Sequence, residues 1–491
     1  MNKNGVAMRF CLSIPLLVWL AGLGLSLDVW AGSANLFSRR DPLIEKFVAD
    51  ISAERMQETV ETLVGFNSRN SASAMDHPTQ GVGAAARWIR AQFEEYSRAG
   101  GGRLKVDFDE FDQAVTRLKN QKLHFINVVA TLPGRHPDRR IVVGGHYDSL
   151  VLARAPARPP SDAPPTRVDP NSFQPGANDD ASGTAAVLEL ARVMSAYEFE
   201  ATIIFIAFAG EELGLIGSRH WAKQAKQKGW IIEAMIANDI IGNIEGGNGL
   251  IDNGSMRVFS EGVPTAETAK EKEVRQAVGG EVDSPSRQWA RYVKEKAEAY
   301  VPTMHIRLIF RRDRYRRGGD HIPFNEEGYA AVRFTEANEN YTRQHERVRE
   351  ENGVRYGDVP EKVSFPYAAQ VTRVNAAALA SLALAPAPPA DVAIWGAGQY
   401  DTTLRWTASS DDRIAGYNIL LRDTEAPLWQ RKIFLPKAAL SVENGTITHR
   451  LKNITIDNYF FAVQAVDGKG NESLPIFPSP GDLRLLAPPS E

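Results

Sequence analysis

Apolar runs that end abruptly in acids or histidine constrain this chain more than any other feature of its sequence. Residues 141–145 stop at His146-Tyr147-Asp148, residues 202–208 lead through Ala209-Gly210 to Glu211-Glu212, and Met235-Ile236-Ala237-Asn238 stops at Asp239. Residues 185–194 carry apolar side chains at helical period, and the chain reads as helix again from Trp221. Continuous apolar strands need cover on both faces, and alternation with helices supplies it. The predicted fold is therefore α/β, a three-layer sandwich whose central sheet is mostly parallel and covered by helices. Ligands of such sheets collect beyond the carboxyl ends of the strands, which is where these polar islands fall.

The ends of the chain differ from its middle. Lys3 and Arg9 precede a charge-free, largely apolar stretch over residues 10–27, and Val29-Trp30-Ala31 precedes Gly32. That is the pattern of a secretory signal over residues 1–31, implying a secreted or periplasmic protein; an uncleaved membrane anchor is the rival. Cys11, the one cysteine, lies inside the signal, so the exported chain would carry no disulfide. A net charge of −3 gives no electrostatic reason to bind nucleic acid, and no later segment is apolar for long enough to span a bilayer. At 491 residues more than one domain is expected. Alanine and proline crowd residues 383–390, the mark of a stiff linker between residues 32–382 and 391–491. Beyond it, short β-rich runs at 403–406, 416–421, 449–451 and 459–466 alternate with turns, with Trp406 and Tyr459 as expected core aromatics. This all-β, immunoglobulin-like sandwich resembles a fibronectin type III domain and is expected to bind or anchor to a surface, polymer or protein. Two segments interrupt the α/β pattern: a Pro- and Arg-dense loop at 153–175, and a polar, Gly-rich stretch at 243–283 followed by a helix with Ser284 as cap.

Each polar island also has an ordinary interpretation when taken alone. A histidine at a strand end is more often structural than ligating, but Asp148 two residues on can fix the tautomer of His146. Asn178-Asp179-Asp180 can cap the next helix, with Asp179 free to bridge two cations. Neighbouring side chains at a strand end diverge, so Glu212 can bind metal while Glu211 serves as general base. Asp239 can end a strand, and His321 can be a loop residue beside Asp320. Their conjunction favours a two-metal site. Three carboxylates (Asp179, Glu212, Asp239) and two neutral imidazoles (His146, His321) leave one positive charge on two divalent ions, which a bridging hydroxide balances.

Four motifs, His146-Tyr147-Asp148-Ser149, Gly176 to Gly183, Phe208-Ala209-Gly210-Glu211-Glu212 and Asp320-His321, occur in the order found in co-catalytic zinc exopeptidases. The chain resembles that family, which includes secreted bacterial leucine aminopeptidases, glutamate carboxypeptidase II and glutaminyl cyclase, over residues 50–380. The resemblance implies two Zn2+ ions, one on His146 and Asp239, the other on Glu212 and His321, with Asp179 bridging and Glu211 as base. It also implies a strained Asp179–Asp180 peptide open to the cis form. Where the family shows an aromatic-His-Thr pattern, Asn340-Tyr341-Thr342-Arg343-Gln344-His345 stands instead, leaving Tyr341 or His345 to bind substrate or the oxyanion. Arg307, Arg311, Arg312, Arg314, Arg316 and Arg317 precede His321, either as a solvated basic loop or as a funnel for acidic groups, with Arg316 as its test residue. The function so implied is a secreted peptidase acting on peptides or proteins, an aminopeptidase by family frequency. A metallocarboxypeptidase, a one-zinc cyclase-like acyltransferase and a non-catalytic receptor relative are the alternatives.

Overall fold

The computed structural model describes residues 40–153 and 166–481; the expected signal, residues 1–31, lies outside them. In chain order the strands of the α/β part begin with β1 (Lys105–Val115), β2 (Gln121–Leu132) and β3 (His136–His146). A short ladder of β4 (Leu152–Ala153) and β5 (Thr166–Arg167) follows, then β6 (Ala201–Phe208), β7 (Ile231–Asn238), β8 (Ser255–Phe259), β9 (His305–Ile309) and β10 (Ala331–Glu336). A hairpin of β11 (Arg349–Glu351) and β12 (Val354–Tyr356) comes next. Eight of these strands form one sheet in the order β1-β2-β6-β3-β7-β10-β8-β9.

The expectation of a mostly parallel sheet needs correction. β6, β3, β7 and β10 are parallel neighbours, as are β8 and β9. The pairs β1–β2, β2–β6 and β10–β8 are antiparallel. For β1 and β2 the reason is the connection, since so short a turn cannot carry the chain back to start a parallel strand. The polar, Gly-rich stretch at 243–283 contributes β8 and a helix, Ala269–Val278, opened by a Thr268/Glu271 capping box.

Alternation along β6 divides the interior. Ile203, Phe205 and Ala207 join one core with the helices Gly81–Ala99, Ala181–Met194 and Phe365–Leu384. Ile204, Ile206 and Phe208 join a second core with Trp221, Ala222, Ala225 and Phe324. The sheet is thus covered on both sides. Gly145 at the end of β3 lets a helix approach, because a Cβ there would stand 2.7 Å from the carbonyl carbon of Gly183.

Residues 383–390, expected as a stiff linker, begin inside a helix. Alanine favours helix, and the helix Phe365–Leu384 runs on through the first two of them. The carbonyls of Ala383 and Ala385 then accept hydrogen bonds from Glu200 N (2.9 Å) and Arg139 Nη1 (3.0 Å).

The remaining strands are β13 (Ala390–Trp395), β14 (Thr402–Thr407), β15 (Ile414–Asp423), β16 (Arg431–Pro436), β17 (Val442–Glu443), β18 (Thr446–Leu451), β19 (Tyr459–Asp467) and β20 (Ser479–Pro480). They form a five-stranded sheet, β17-β18-β14-β13-β20, and a three-stranded sheet, β16-β15-β19. Leu404, Trp406, Tyr417, Ile419, Phe461 and Val463 make their shared core, with Trp406 and Tyr417 ring centroids 5.3 Å apart. Tyr459 is half-buried against that core and lies outside its fully buried set.

The three-stranded sheet and the loop after β19 meet the helix Pro285–Tyr300. Tyr292 donates to the carbonyl of Glu472 (2.9 Å), and the Glu472 carboxylate accepts from Lys432 (2.9 Å), Asn418 (2.9 Å) and Lys296. Burial would raise the Glu472 carboxyl, yet Lys296 and Lys432 hold it below its ordinary value. Removing one partner from a buried ion pair strands the other charges. Glu472→Ala is therefore expected to cost about 3–5 kcal/mol of unfolding free energy, read from urea melts of the full chain. A loss below about 1 kcal/mol would show the cluster to be solvated.

Candidate metal centre and active site

The carboxyl ends of β3, β6, β7 and β10 carry the site. His146 is the last residue of β3, and its N–H donates to Asp180 Oδ2 (3.0 Å). Its Nδ1 lies 3.1 Å from the Asp148 carbonyl and 3.4 Å from Asp148 Oδ1. With Nδ1 tied to an acceptor, Nε2 is left as the donor atom for a cation, and it is buried without a hydrogen-bond partner.

Asp179 faces both histidines that flank it. Its Oδ1 is 3.3 Å from His146 Nε2, and its Oδ2 is 3.1 Å from His345 Nε2. The Asp179–Asp180 peptide is cis. The Asp180 side chain caps the helix Ala181–Met194 by accepting from Gly183 N (2.9 Å) and also accepts from Ile240 N (3.2 Å).

Glu211 and Glu212 follow β6 in a turn that two side chains pin. Asn127 Oδ1 accepts from Ala209 N (3.0 Å), while Asp148 accepts from Glu211 N through Oδ1 (3.1 Å) and from Glu212 N through Oδ2 (3.3 Å). Glu212 Oε1 stands 2.8 Å from His345 Nε2. Asp239 follows β7, and Arg333 Nη1, buried beneath it, lies 2.6 Å from its Oδ2.

Two triads of donor atoms result, His146-Asp179-Asp239 and Asp179-Glu212-His345, each with its atoms within 4.8 Å of one another. The structure thus brings together His146, Asp179, Glu212 and Asp239 as the sequence suggests, with Asp148 and Glu211 beside them. It does not bring His321. That ring opens the helix His321–Glu326, its Nε2 is 2.8 Å from the Arg312 carbonyl, and it belongs to neither triad. His345, expected only as a substrate contact, takes the place foreseen for it.

The other substrate-binding candidates fare differently. Tyr341 is 60% exposed, four residues from His345. Arg316 is exposed, and no described contact joins it to the triads. Much of the basic segment around it is engaged inside the protein: Arg314 and Arg317 pair with Glu339, and Arg314 also pairs with Asp313.

Several supporting residues escaped the sequence. Arg69, 1% exposed, donates to the carbonyls of Tyr147, Leu63, Pro175 and Gly176, tying the end of β3 to the segment before Asp179. Asp358 accepts from the N–H groups of Asn178 (2.9 Å) and Asp179 (2.8 Å), and burial pushes its carboxyl up to about 6. Glu336 Oε2 accepts from Asn178 Nδ2 (2.8 Å) and Asn243 N (2.9 Å).

Burial governs the electrostatics of the cluster. It raises the Glu211 carboxyl well above its ordinary value, with His146 opposing and Asp239 and Glu212 adding to the effect. Burial would raise Asp179 as well, but the neighbouring imidazoles of His146 and His345 hold it well below. Burial would depress both imidazoles; Asp148 and Asp179 raise His146 instead, and Glu212 and Asp179 raise His345.

Those raised histidines must shed protons to bind a cation, so the zinc affinity of metal-free protein is expected to climb with pH through the neutral range. Calorimetric titration with zinc in buffers of different ionisation enthalpy should register the release. Identical heats in every buffer would show that the imidazoles are already neutral.

The donor set suits zinc. Imidazole and carboxylate are its common protein ligands, and a buried, unpartnered imidazole nitrogen is what such a ligand presents before binding. An α/β sheet with these groups gathered at its carboxyl edge defines a metal-dependent hydrolase.

Comparison with known proteins narrows the class. The profile of peptidase family M28 matches residues 127–356. A probable zinc metalloprotease of Leptosphaeria maculans is 38% identical over 440 residues, covering 89% of this chain and 97% of its own. One from Pyricularia oryzae is 36% identical over 449 residues, covering 90% and 85%. This chain belongs to peptidase family M28 and is a zinc metallopeptidase. Solved structures that resemble it include the Legionella pneumophila LapA aminopeptidase (TM-score 0.46, 19% identity, 70% of this chain and 75% of that one). The Fimbriiglobus ruber glutaminyl cyclase is another (TM-score 0.46, 19% identity, 67% and 94%).

Proposed function

We propose that the chain is an exported exopeptidase that holds two zinc ions and releases residues from the N-terminus of peptides. The observation that carries the two-ion reading is Asp179, which turns one carboxylate oxygen toward each triad. His146 and Asp239 would complete one site, Glu212 and His345 the other. Zinc bound there supplies a polarised scissile carbonyl and a more acidic attacking water.

The protein's own groups do the rest. Glu211, lifted by burial, takes a proton from the attacking water and returns it to the departing amine. Asp148 fixes the orientation of His146 and, through the N–H groups of residues 211 and 212, the direction of both glutamates. Arg333 anchors one oxygen of Asp239. Asp358 and Arg69 hold the backbone on either side of Asn178.

Release from the N-terminus rests on the resemblance to secreted leucine aminopeptidases, and export rests on Lys3, Arg9 and the apolar stretch before Gly32. The β-sheets after Ala390 support a fibronectin type III-like module, with two facing sheets around Trp406. The decisive experiment combines metal analysis with aminoacyl and carboxy-terminal reporter peptides, before and after chelation. Two zinc ions per chain and chelator-sensitive cleavage of the aminoacyl reporter are expected. One ion would favour a cyclase-like acyltransferase, and cleavage of the carboxy-terminal reporter alone would favour a carboxypeptidase.

A further inference from the structure

The helix Pro285–Tyr300 meets the three-stranded sheet β16-β15-β19 and its adjoining loop through two clusters of charge that differ in balance. In one, Lys296 and Lys432 face Glu295 and Glu472, two cations against two carboxylates. In the other, Arg287, Arg291 and Arg422 gather about the single carboxylate of Asp283. Arg291 Nη1 lies 2.7 Å from Asp283 Oδ1, and Arg422 pairs with Oδ2.

Arg287 makes no ion pair with Asp283. Its guanidinium lies over Phe310, 4.1 Å from the ring centroid, which Arg291 also approaches at 5.5 Å, and it donates to the carbonyls of Ser260 and Val282. The three arginines are 2%, 2% and 1% exposed. Glu261 is the other buried acid near Arg287, but its carboxylate accepts from Thr265 N and Oγ1, and Arg312 also attends it. Positive charge is in excess on either count.

Arginine cannot discard that excess, and burying an uncompensated guanidinium is costly. Burial, with repulsion from Arg291 and Arg422, pushes Arg287 down to about 10, still charged at neutral pH. The Nε–H groups of Arg287 and Arg422 are both buried without an acceptor. Charge and hydrogen bonding therefore lack the same thing, a negatively charged acceptor.

We propose that this cluster binds a small inorganic anion, which accepts hydrogen bonds from Arg287 and Arg422 and supplies negative charge where the helix meets the three-stranded sheet. The anion belongs to the folded state alone, so it stabilises the protein by mass action. The site is separate from the metal centre and does not depend on the peptidase assignment.

Sodium bromide is the probe of position. Crystals of the full chain soaked in it and measured at the bromine edge are expected to show an anomalous peak within hydrogen-bond reach of Arg287 and Arg422. Bromide peaks elsewhere with none here would overturn the proposal.

Sulfate is the probe in solution. At constant ionic strength the melting temperature of the full chain should rise with sulfate and then follow the logarithm of its concentration. Arg287→Met retains both Asp283 pairs, and it should need about tenfold more sulfate for the same rise, the worth of one charge-assisted hydrogen bond. Without sulfate it should melt lower than the parent, because the Ser260 and Val282 carbonyls lose their donor, so the readout is the sulfate dependence. A lower melting point with an unchanged sulfate response would make Arg287 merely structural and sink the idea. If that variant does not fold, the bromide map of the parent decides alone.

Discussion

Alanine at position 345 is expected to cost the protein about one zinc ion per chain and nearly all of its peptidase activity, whereas alanine at position 321 should leave the zinc content intact. His345 Nε2 lies within 3.1 Å of Asp179 and 2.8 Å of Glu212, so its loss leaves two carboxylates with no third donor. Even residues that only orient a ligand are worth 10- to 100-fold in metal affinity, and removing a ligand should exceed about 100-fold. His321 instead bonds the Arg312 carbonyl within the protein, and losing that bond should cost about 1–3 kcal/mol of stability. Metal analysis of the two purified variants checks both statements. Zinc lost from His321→Ala but kept by His345→Ala would reverse the assignment.

Glu211→Gln is expected to lower kcat by about 10²–10⁴ while zinc stays bound. The amide keeps the size of the side chain and leaves the 3.1 Å backbone bond to Asp148 undisturbed, so only the capacity to carry a proton is removed. KM should change little, and single-turnover rates should fall with kcat. Undiminished turnover in this variant would move the proton transfer to another group. Loss of zinc along with activity would make Glu211 a ligand.

Much of this centre could be read from the sequence because its parts end apolar runs. β6 throughout, and β3 and β7 in their carboxyl halves, are continuously buried, so the acids and the imidazole at their carboxyl ends stand out. At β10 the same rule would have pointed to Glu336, the last residue of that strand; His345 lies well beyond its carboxyl end, whereas His321 precedes the strand. Adjacency to Asp320 and a familiar pairing of residues outweighed strand polarity. Arg69 and Asp358 could not have been found this way. Each acts through backbone groups far along the chain, Asp358 on residues 180 and 179 positions away.

The antiparallel edges of the sheet and the helical start of the expected linker have a related cause. Local composition registers that residues are apolar or rich in alanine, but direction and length depend on what they pack against. For residues 383 and 384 that is a buried helix whose final turn is bonded to Glu200.

Asp148 joins the two halves of the centre in a way that limits how they can change. One residue positions the imidazole of His146 and both glutamate N–H groups, while Ser71 donates to its Oδ2 (2.8 Å). A substitution there would move affinity for the cation and the aim of the base in a single stroke. Stepwise tuning of one without the other must therefore come from residues farther out, such as Asn127 or Arg333, each of which steadies only one side.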